Sequence, residues 1–476
     1  MAQIATSSLF GIDPGGLKAT PLPLVLFGLG VSSFHANRSA PAQKFPPVDR
    51  KEMKFSPGFN LIVGQNGSGK TTMLDALSVA IGSWLLGMSR FSVDCKARSI
   101  DREWARLRCI KNANTKTVRY EYQHPVEVTA EGEVQGQKLR WTRTLESQQG
   151  RTTTAGATEL KNLAERAGLA VMQGKEAVIL PLISYYGTGR IWQQPRDLKA
   201  KRASANTKAS RSSFRGYLNS HDPRSDAAAM FRWFQTQQYI SLEEGKVPIE
   251  LSAVRKAVLG CIEGGKRLSF SVKLADLILE IEGQERQPFN NLSDGYRNMI
   301  ATVGDIAWKA VQLNPHLGAA APAETPGVVM IDELDLHLHP TWQRRVMDDL
   351  RRTFPKIQFI CTTHSAFLIQ SARPGEVISL DGNIVSEDYV GASLEDIVEE
   401  VQGVEVPQQS AAAKRLGEAT EKYLKLIREN GRTEKAELAS AKREFREAQT
   451  GYTSEPGLNA LLKLEALAAE EAAKRK

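Results

Sequence analysis

The chain is poor in cysteine. Only Cys95, Cys109, Cys261 and Cys361 occur in 476 residues, and none forms a C-x-x-C pair. That excludes a zinc knuckle, a zinc-dependent dimerisation hook and a disulfide framework, and it suits a reducing, cytoplasmic compartment. Long apolar runs are scarce as well. The N-terminal stretch Leu22 to Val31 is too short to span a bilayer. A polar, Gly- and Pro-bearing segment precedes Lys18, which makes it a poor signal peptide, so no membrane partner is expected. It reads instead as an outer strand or an unstructured extension. Nuclease patterns are missing too. No acidic cluster with toprim spacing follows His364, and neither H-N-H nor P-D-(D/E)-x-K occurs. No internal repeat is found, and the heptads are too few for a long coiled coil. With 41% hydrophobic and 24% charged residues the composition is that of a soluble globular protein of two or three structural units.

The strongest positive feature is Leu61-Ile-Val-Gly-Gln-Asn-Gly-Ser-Gly-Lys-Thr-Thr72, which fits the P-loop pattern G-x-x-x-x-G-K-[ST]. An apolar strand-like stretch, Phe59 to Val63, leads in. A helical stretch, Lys70 to Trp84, leads out. Small residues at Gly64, Gln65, Asn66, Gly67, Ser68 and Gly69 let backbone N–H groups curl around phosphate oxygens at a helix N-terminus. Lys70 is expected to reach the β- and γ-phosphates of ATP. Thr71 would supply a hydroxyl to Mg²⁺, and Thr72 closes the motif.

Three further motifs follow in order. Leu292-Ser-Asp-Gly-Tyr-Arg297 opens a helix and resembles the L-S-G-G-Q signature of ABC-type ATPases, with Asp294 in place of a glycine. Ser293, Gly295 and the helix N-terminus would make a second anion site. Val328-Val-Met-Ile-Asp-Glu333 is a Walker B pattern. Asp332 would hold Mg²⁺, and Glu333 would polarise the attacking water. Adjacent strand residues point oppositely, so the two acids have separate tasks. Leu334-Asp335 resembles a D-loop, which adds Asp335 to the nucleotide-binding set. His364 follows the apolar run IQFICTT as a switch histidine beside the γ-phosphate. His337 and His339 form an H-x-H that reads better as packing beside the D-loop than as a metal site. No Q-loop glutamine is assigned.

Residues Ala105 to Leu145 read as an antiparallel β-meander. Ala177 to Ser184 is a buried strand running into Tyr185-Tyr-Gly-Thr-Gly-Arg190. Ala227 to Tyr239 and Pro248 to Ile262 read as helices, LSFSVKLADLILEIEG as paired strands, Asn314 to Pro326 as a loop and PTWQRRVMDDLRRTF as one helix. Asp381-Gly382 suggests a hairpin turn. Residues 1–44 read as an irregular extension, 45–400 as an ABC-type ATPase domain with an insertion at about 105–262, and 401–476 as a helical segment. The formal charge is +8. Arg190, Arg196, Lys199, Lys201, Arg202, Lys208, Arg211 and Arg215 stand against Asp197 alone, with Trp192, Phe214 and Tyr217 interleaved or following. Such a strip suits a nucleic-acid backbone, or is a solvated loop.

Taken together, IVGQNGSGKTTMLDAL, YYGTGRIW, SFRGYLNS…MFRWF, LSDGYRNM, IDELDLHLHPTWQRRV and CTTHS resemble the bacterial RecF/SMC-like, overcoming-lysogenisation-type ABC ATPases. The nearest group is the "predicted ATP-binding proteins involved in virulence", with PtuA-like ATPases of Septu and retron anti-phage systems. The likeness covers about residues 45–370. It implies an α/β P-loop fold, a homodimer or higher oligomer sandwiching ATP and Mg²⁺, action on or sensing of DNA, and a separately encoded nuclease or toxin effector. A nucleotide-gated scaffold that sequesters such an effector, or a RecF/SMC-like repair ATPase, is the alternative. The N-terminus departs from the family pattern: only Ser33-Phe34-His35 echoes the usual Asn-Phe-Arg-type strand before the P-loop.

Overall fold

The computed structural model describes residues 33–37, 50–93, 95–105, 107–111, 118–175, 178–191, 213–222, 228–380, 392–403, 411–428, 435–451, 460, 462–464 and 466–468. Two compact units result, Met1–Gly391 and Ala392–Lys476.

The first unit is built around a five-stranded parallel sheet. Its order is Val377–Ser379, Phe59–Val63, Ile357–Thr362, Gly327–Ile331 and Leu182–Tyr186. The four longer strands are buried at every position, so their sequences read as continuous apolar runs rather than alternations. Phe59 and Phe359 stack across adjacent strands, ring centroids 5.0 Å apart. Gly327 is obligatory where it stands: a Cβ there would lie 2.0 Å from the Leu182 carbonyl oxygen. These strands end together, which brings the P-loop, Walker B and switch segments to one edge. In open α/β sheets that edge is where ligands bind.

The helix Lys70–Ile81 packs behind the P-loop strand, and Trp84–Met88 continues it after Gly82, a turn earlier than the sequence suggested. The run Lys70–Met88 is long and apolar enough to cross a membrane, but 78% of it lies buried inside the protein, as the core helix of this fold must. A second, antiparallel sheet of order Arg50–Lys54, Ser33–Asn37, Val126–Val134 and Gln137–Leu145 covers that helix. Trp141 pins the two together, its indole N–H donating to the Ala80 carbonyl at 2.8 Å.

Several expectations need correction. The stretch 105–145 is not one meander. Leu107–Lys111 and Val118–Tyr122 pair only with each other among the described residues, while Val126–Leu145 supplies two strands of the second sheet. Pro125, which has no N–H to donate, stands at the break. Ser33–Asn37, inside the supposedly irregular 1–44, is a strand, because both its edges find backbone partners. Asn314–Pro326 holds the helical turns Pro315–Ala320 and Ala321–Glu324, with proline in the first turn of each, where its missing N–H costs nothing. The single helix expected from Pro340 is two, Pro340–Gln343 and Val346–Thr353, split where Arg345 swings to φ −116°. Val377–Ser379 joins the parallel sheet beside the P-loop strand. The proposed hairpin turn at Asp381-Gly382 lies outside the described residues, as do Leu22–Val31 and most of the basic strip. The paired strands Gly265–Ser271 and Asp276–Ile281 form as read, extended by Gln287–Pro288.

The second unit contains the helices Leu394–Glu400, Ala411–Arg428 and Lys435–Gly451. Leu416, Tyr423 and Ile427 pack on Ala441, Phe445 and Ala466, and the Tyr423 and Phe445 rings stack at 5.7 Å.

Candidate nucleotide site

The P-loop is shaped by backbone that side chains resist. Gly67 (φ 83°) and Gly69 (φ 94°) take left-handed conformations open to glycine at little cost. Gly69 then caps Lys70–Ile81 with no side-chain bond of its own, so the helix's first N–H groups are not taken up by a cap side chain. The Ser68 hydroxyl is buried and has no hydrogen-bond partner among the described residues. Lys70 bridges the loop, its ammonium 2.7 Å from the Gly64 carbonyl oxygen and 3.0 Å from that of Gln65. Gln65, Asn66 and Gly67 face solvent at the loop tip, and Thr72 is half-buried in the first helical turn. A phosphate fits this cradle: it has a buried hydroxyl to satisfy, a cation held across the loop and a helix N-terminus facing it.

Thr71 and Asp332, 261 positions apart in sequence, meet at the strand ends. The Thr71 hydroxyl donates to Asp332 Oδ2 at 2.9 Å. Asp332 is 2% exposed, and its other oxygen accepts from the Thr362 hydroxyl at 2.6 Å. A hydroxyl and a carboxylate are the hard oxygen donors that suit Mg²⁺. Glu333 follows with φ 49°, an uncommon conformation for a residue with a Cβ, and is half-buried. Its amide donates to Thr362 Oγ1 at 2.8 Å, and Leu334 N–H donates to the Thr362 carbonyl at 2.9 Å. One threonine thus fixes both the Asp332 carboxylate and the backbone of Glu333. Asp335 accepts from the Thr363 hydroxyl. His364 is exposed at the end of the same segment, and Ser365 is buried behind it, donating to Gln343 Oε1 at 2.6 Å.

The signature helix Asp294–Leu313 begins at Ser293, whose side chain makes no cap bond. Gly295 lets its first turn lie against the D-loop: a Cβ there would sit 2.8 Å from the His337 carbonyl oxygen. Asn298 Nδ2 donates to the Leu336 carbonyl at 2.9 Å.

The residue that joins these pieces is Arg190, counted above as part of a basic strip. It is 8% exposed. Its guanidinium donates to the carbonyls of Asp332 (2.6 Å), Glu333 (2.8 Å) and Gly187 (3.0 Å), and to Asn298 Oδ1 (3.0 Å). Burial pulls its pKa down to about 10, against Asp332 and its neighbours pulling the other way, so it remains a cation at neutral pH. Phe214 and Tyr217, also read as exposed aromatics, are core. Phe214 stacks on Phe91 at 5.4 Å, and Tyr217 accepts from the Trp84 indole at 2.9 Å and donates to the Pro181 carbonyl.

A polar seam extends from Arg190 along the signature helix. Asn298, Thr302, Asp305 and Lys309 are all buried. Asp305 and Lys309 pair at 2.8 Å, Tyr186 donates to Asp305 at 2.7 Å, and Lys309 donates to Ser184 at 2.9 Å. Motif reading misses the roles of Arg190, Asn298 and Thr362. A signal is present in the spacing 298, 302, 305, 309, a polar stripe on an otherwise apolar helix.

Two family models match the chain. One, an AAA domain, covers residues 43–259; the other, described as "AAA domain, putative AbiEii toxin, Type IV TA system", covers 192–370. The chain is 43% identical over 102 residues to the Retron Vc95 probable ATPase of Vibrio cholerae serotype O1 biovar El Tor, which is 21% of this chain and 19% of that protein. It is 37% identical over 115 residues to the Retron Ec83 probable ATPase of Escherichia coli, 24% and 21% of the two chains. It is 31% identical over 128 residues to the Septu protein PtuA of Bacillus thuringiensis, 25% and 32% of the two chains. The chain therefore spans a third or less of the relatives it matches. An SMC head bound to the C-winged helix domain of ScpA aligns over 73% of this chain and 94% of that one, at 15% identity and a TM-score of 0.39. The likeness to retron and Septu ATPases expected from the motifs is borne out, and the fold is that of a P-loop NTPase.

Proposed function

We infer that this chain binds and hydrolyses ATP with Mg²⁺, at a site completed by a second copy, as the ATPase of a nucleic-acid-linked anti-phage system. The observation that carries it is the meeting of Thr71 with Asp332 beneath a P-loop whose buried Ser68 hydroxyl is unpartnered among the described residues. In this reading Lys70 and the loop amides hold the β- and γ-phosphates, and Thr71 and Asp332 hold the metal. Bound Mg²⁺ would neutralise charge developing on the phosphate oxygens. Glu333 takes the proton of the attacking water, its backbone held by Thr362 and Arg190. His364, exposed at the strand end, would contact the γ-phosphate of bound ATP. Ser293 and Gly295, at an uncapped helix start, and Asp335 serve the nucleotide of the partner copy.

Nucleic acid and a separately encoded nuclease or toxin are the proposed partners, in the cytoplasm. Similarity to retron and Septu ATPases supports the defence setting. A scaffold that gates an effector without turnover predicts a different result in one experiment. With Glu333→Gln, ATP affinity should hold while turnover falls about 10²–10⁴-fold. Turnover equal to wild type in the purified variant would remove Glu333 from this role; no turnover in either protein would favour the scaffold.

A further inference from the structure

The strands Leu107–Lys111 and Val118–Tyr122 form a two-stranded antiparallel ribbon that pairs with no other strand among the described residues. Such a ribbon is marginal alone and ordinarily buries one face. Here that face is open. Leu107 lies opposite Tyr122, and Cys109 opposite Tyr120. Leu107 is 45% exposed, Val118 48%, Tyr120 62% and Tyr122 44%. Tyr120 and Tyr122 are two apart on one strand, so their rings project from the same side. On the other side Arg119 is exposed and pairs with Glu121 at 3.1 Å, a surface contact. The charge of the segment is lopsided. Residues 106–122 carry Arg106, Arg108, Lys111, Lys116 and Arg119 against Glu121 alone, which is half the net charge of the whole chain in 17 residues.

We propose that this ribbon is a binding platform for single-stranded nucleic acid, with Tyr120 and Tyr122 stacking on unpaired bases. The proposal rests on the nucleic-acid reading above and names the strand form and the surface. Two chemical features favour this occupant. A segment whose sequence carries five cations and one acid complements a polyanion, and exposed aromatic rings serve every base, because every base has a π-face. A duplex hides those faces, which is why the single strand is the better fit. An apolar protein partner would account for Leu107 and Val118, but not for an excess of four positive charges in the segment.

The test is fluorescence anisotropy of a labelled single strand of about 20 nucleotides titrated with the full chain, a length that spans one such platform. The paired variant Tyr120→Ala/Tyr122→Ala should bind at least about tenfold more weakly, and Tyr120→Phe/Tyr122→Phe should bind like wild type, since the stacking ring is kept. Arg119→Ala, on the opposite face of the ribbon, should bind like wild type. All three change exposed side chains, so the midpoint of thermal unfolding should not move. If the alanine pair binds as wild type while Lys201→Ala/Arg202→Ala/Lys208→Ala does not, the ribbon proposal falls and the nucleic-acid reading survives. Wild-type protein that retains neither single strand nor duplex overturns both. A duplex bound more tightly than the single strand, with the tyrosine variants unaffected, also overturns the ribbon.

Discussion

In the P-loop, the stretch Gly64–Thr71 makes its cradle from neighbouring residues: left-handed glycines, a buried serine and a lysine folded back onto the carbonyls of Gly64 and Gln65 in the same loop. Around Glu333 the side chains that hold the backbone are remote in sequence, beside a turn bond from the Leu336 N–H to its carbonyl at 3.0 Å. Its amide is held by Thr362, its carbonyl by Arg190, and Arg190 in turn by Asn298 of the signature helix. The first region is a property of a short sequence. The second is a property of the fold, and a change at any of several distant positions reaches the same backbone. Substitutions in the loop should therefore remove nucleotide binding, whereas substitutions around Glu333 should spare binding and remove turnover.

The largest effect is expected in the loop. Lys70→Ala deletes the cation that spans it, and ATP affinity should fall about 100-fold or more, read by isothermal titration. ATP bound as tightly as by wild type would break the comparison on its first side.

Arg190→Lys sharpens the second side. Lysine keeps the charge but cannot donate at once to Asp332, Glu333, Gly187 and Asn298 from a planar fork. The catalytic rate should fall about 10–100-fold, with ATP affinity changed by no more than about threefold. A loss confined to affinity would move Arg190 to the binding side.

The smallest effect concerns stability. His221 is buried near Arg98 and Lys309, and neither ring nitrogen has a partner among the described residues. Burial first, and then those two cations, push its pKa down to about 3 from 6.5. The unfolded chain therefore binds the proton first. Stability from this group is complete above pH 6.5 and is lost progressively as pH falls toward 3. Between about pH 6.5 and 5 the loss should be about 1–2 kcal/mol in denaturant unfolding. His221→Gln should flatten that slope; an unchanged slope would show that another group titrates.

The same contrast explains what is legible in the sequence. The P-loop, signature, Walker B, D-loop and switch histidine are short strings whose chemistry lies in neighbours, and the strands of the parallel sheet stand out as apolar runs. Arg190 is misplaced by composition, which counts a cation without its burial, and the cations that follow it make a solvated strip the obvious environment. Phe214 and Tyr217 are misplaced for the same reason. Thr362 looks like the polar end of a strand; only the register beside Gly327–Ile331 places it under Asp332 and Glu333. The ribbon at 107–122 merges into a longer meander on sequence alone, because alternation reports strands, not which strands pair.

Ser293 in one copy should complete the site that Lys70, Thr71, Asp332 and Glu333 begin in another. Multi-angle light scattering of purified Glu333→Gln with and without ATP and Mg²⁺ tests this most directly. Nucleotide should raise the mass from one copy to two, and adding Ser293→Arg, which puts bulk and charge at the closing face, should hold it at one. A mass of one copy in every condition would contradict completion of the site by a second copy.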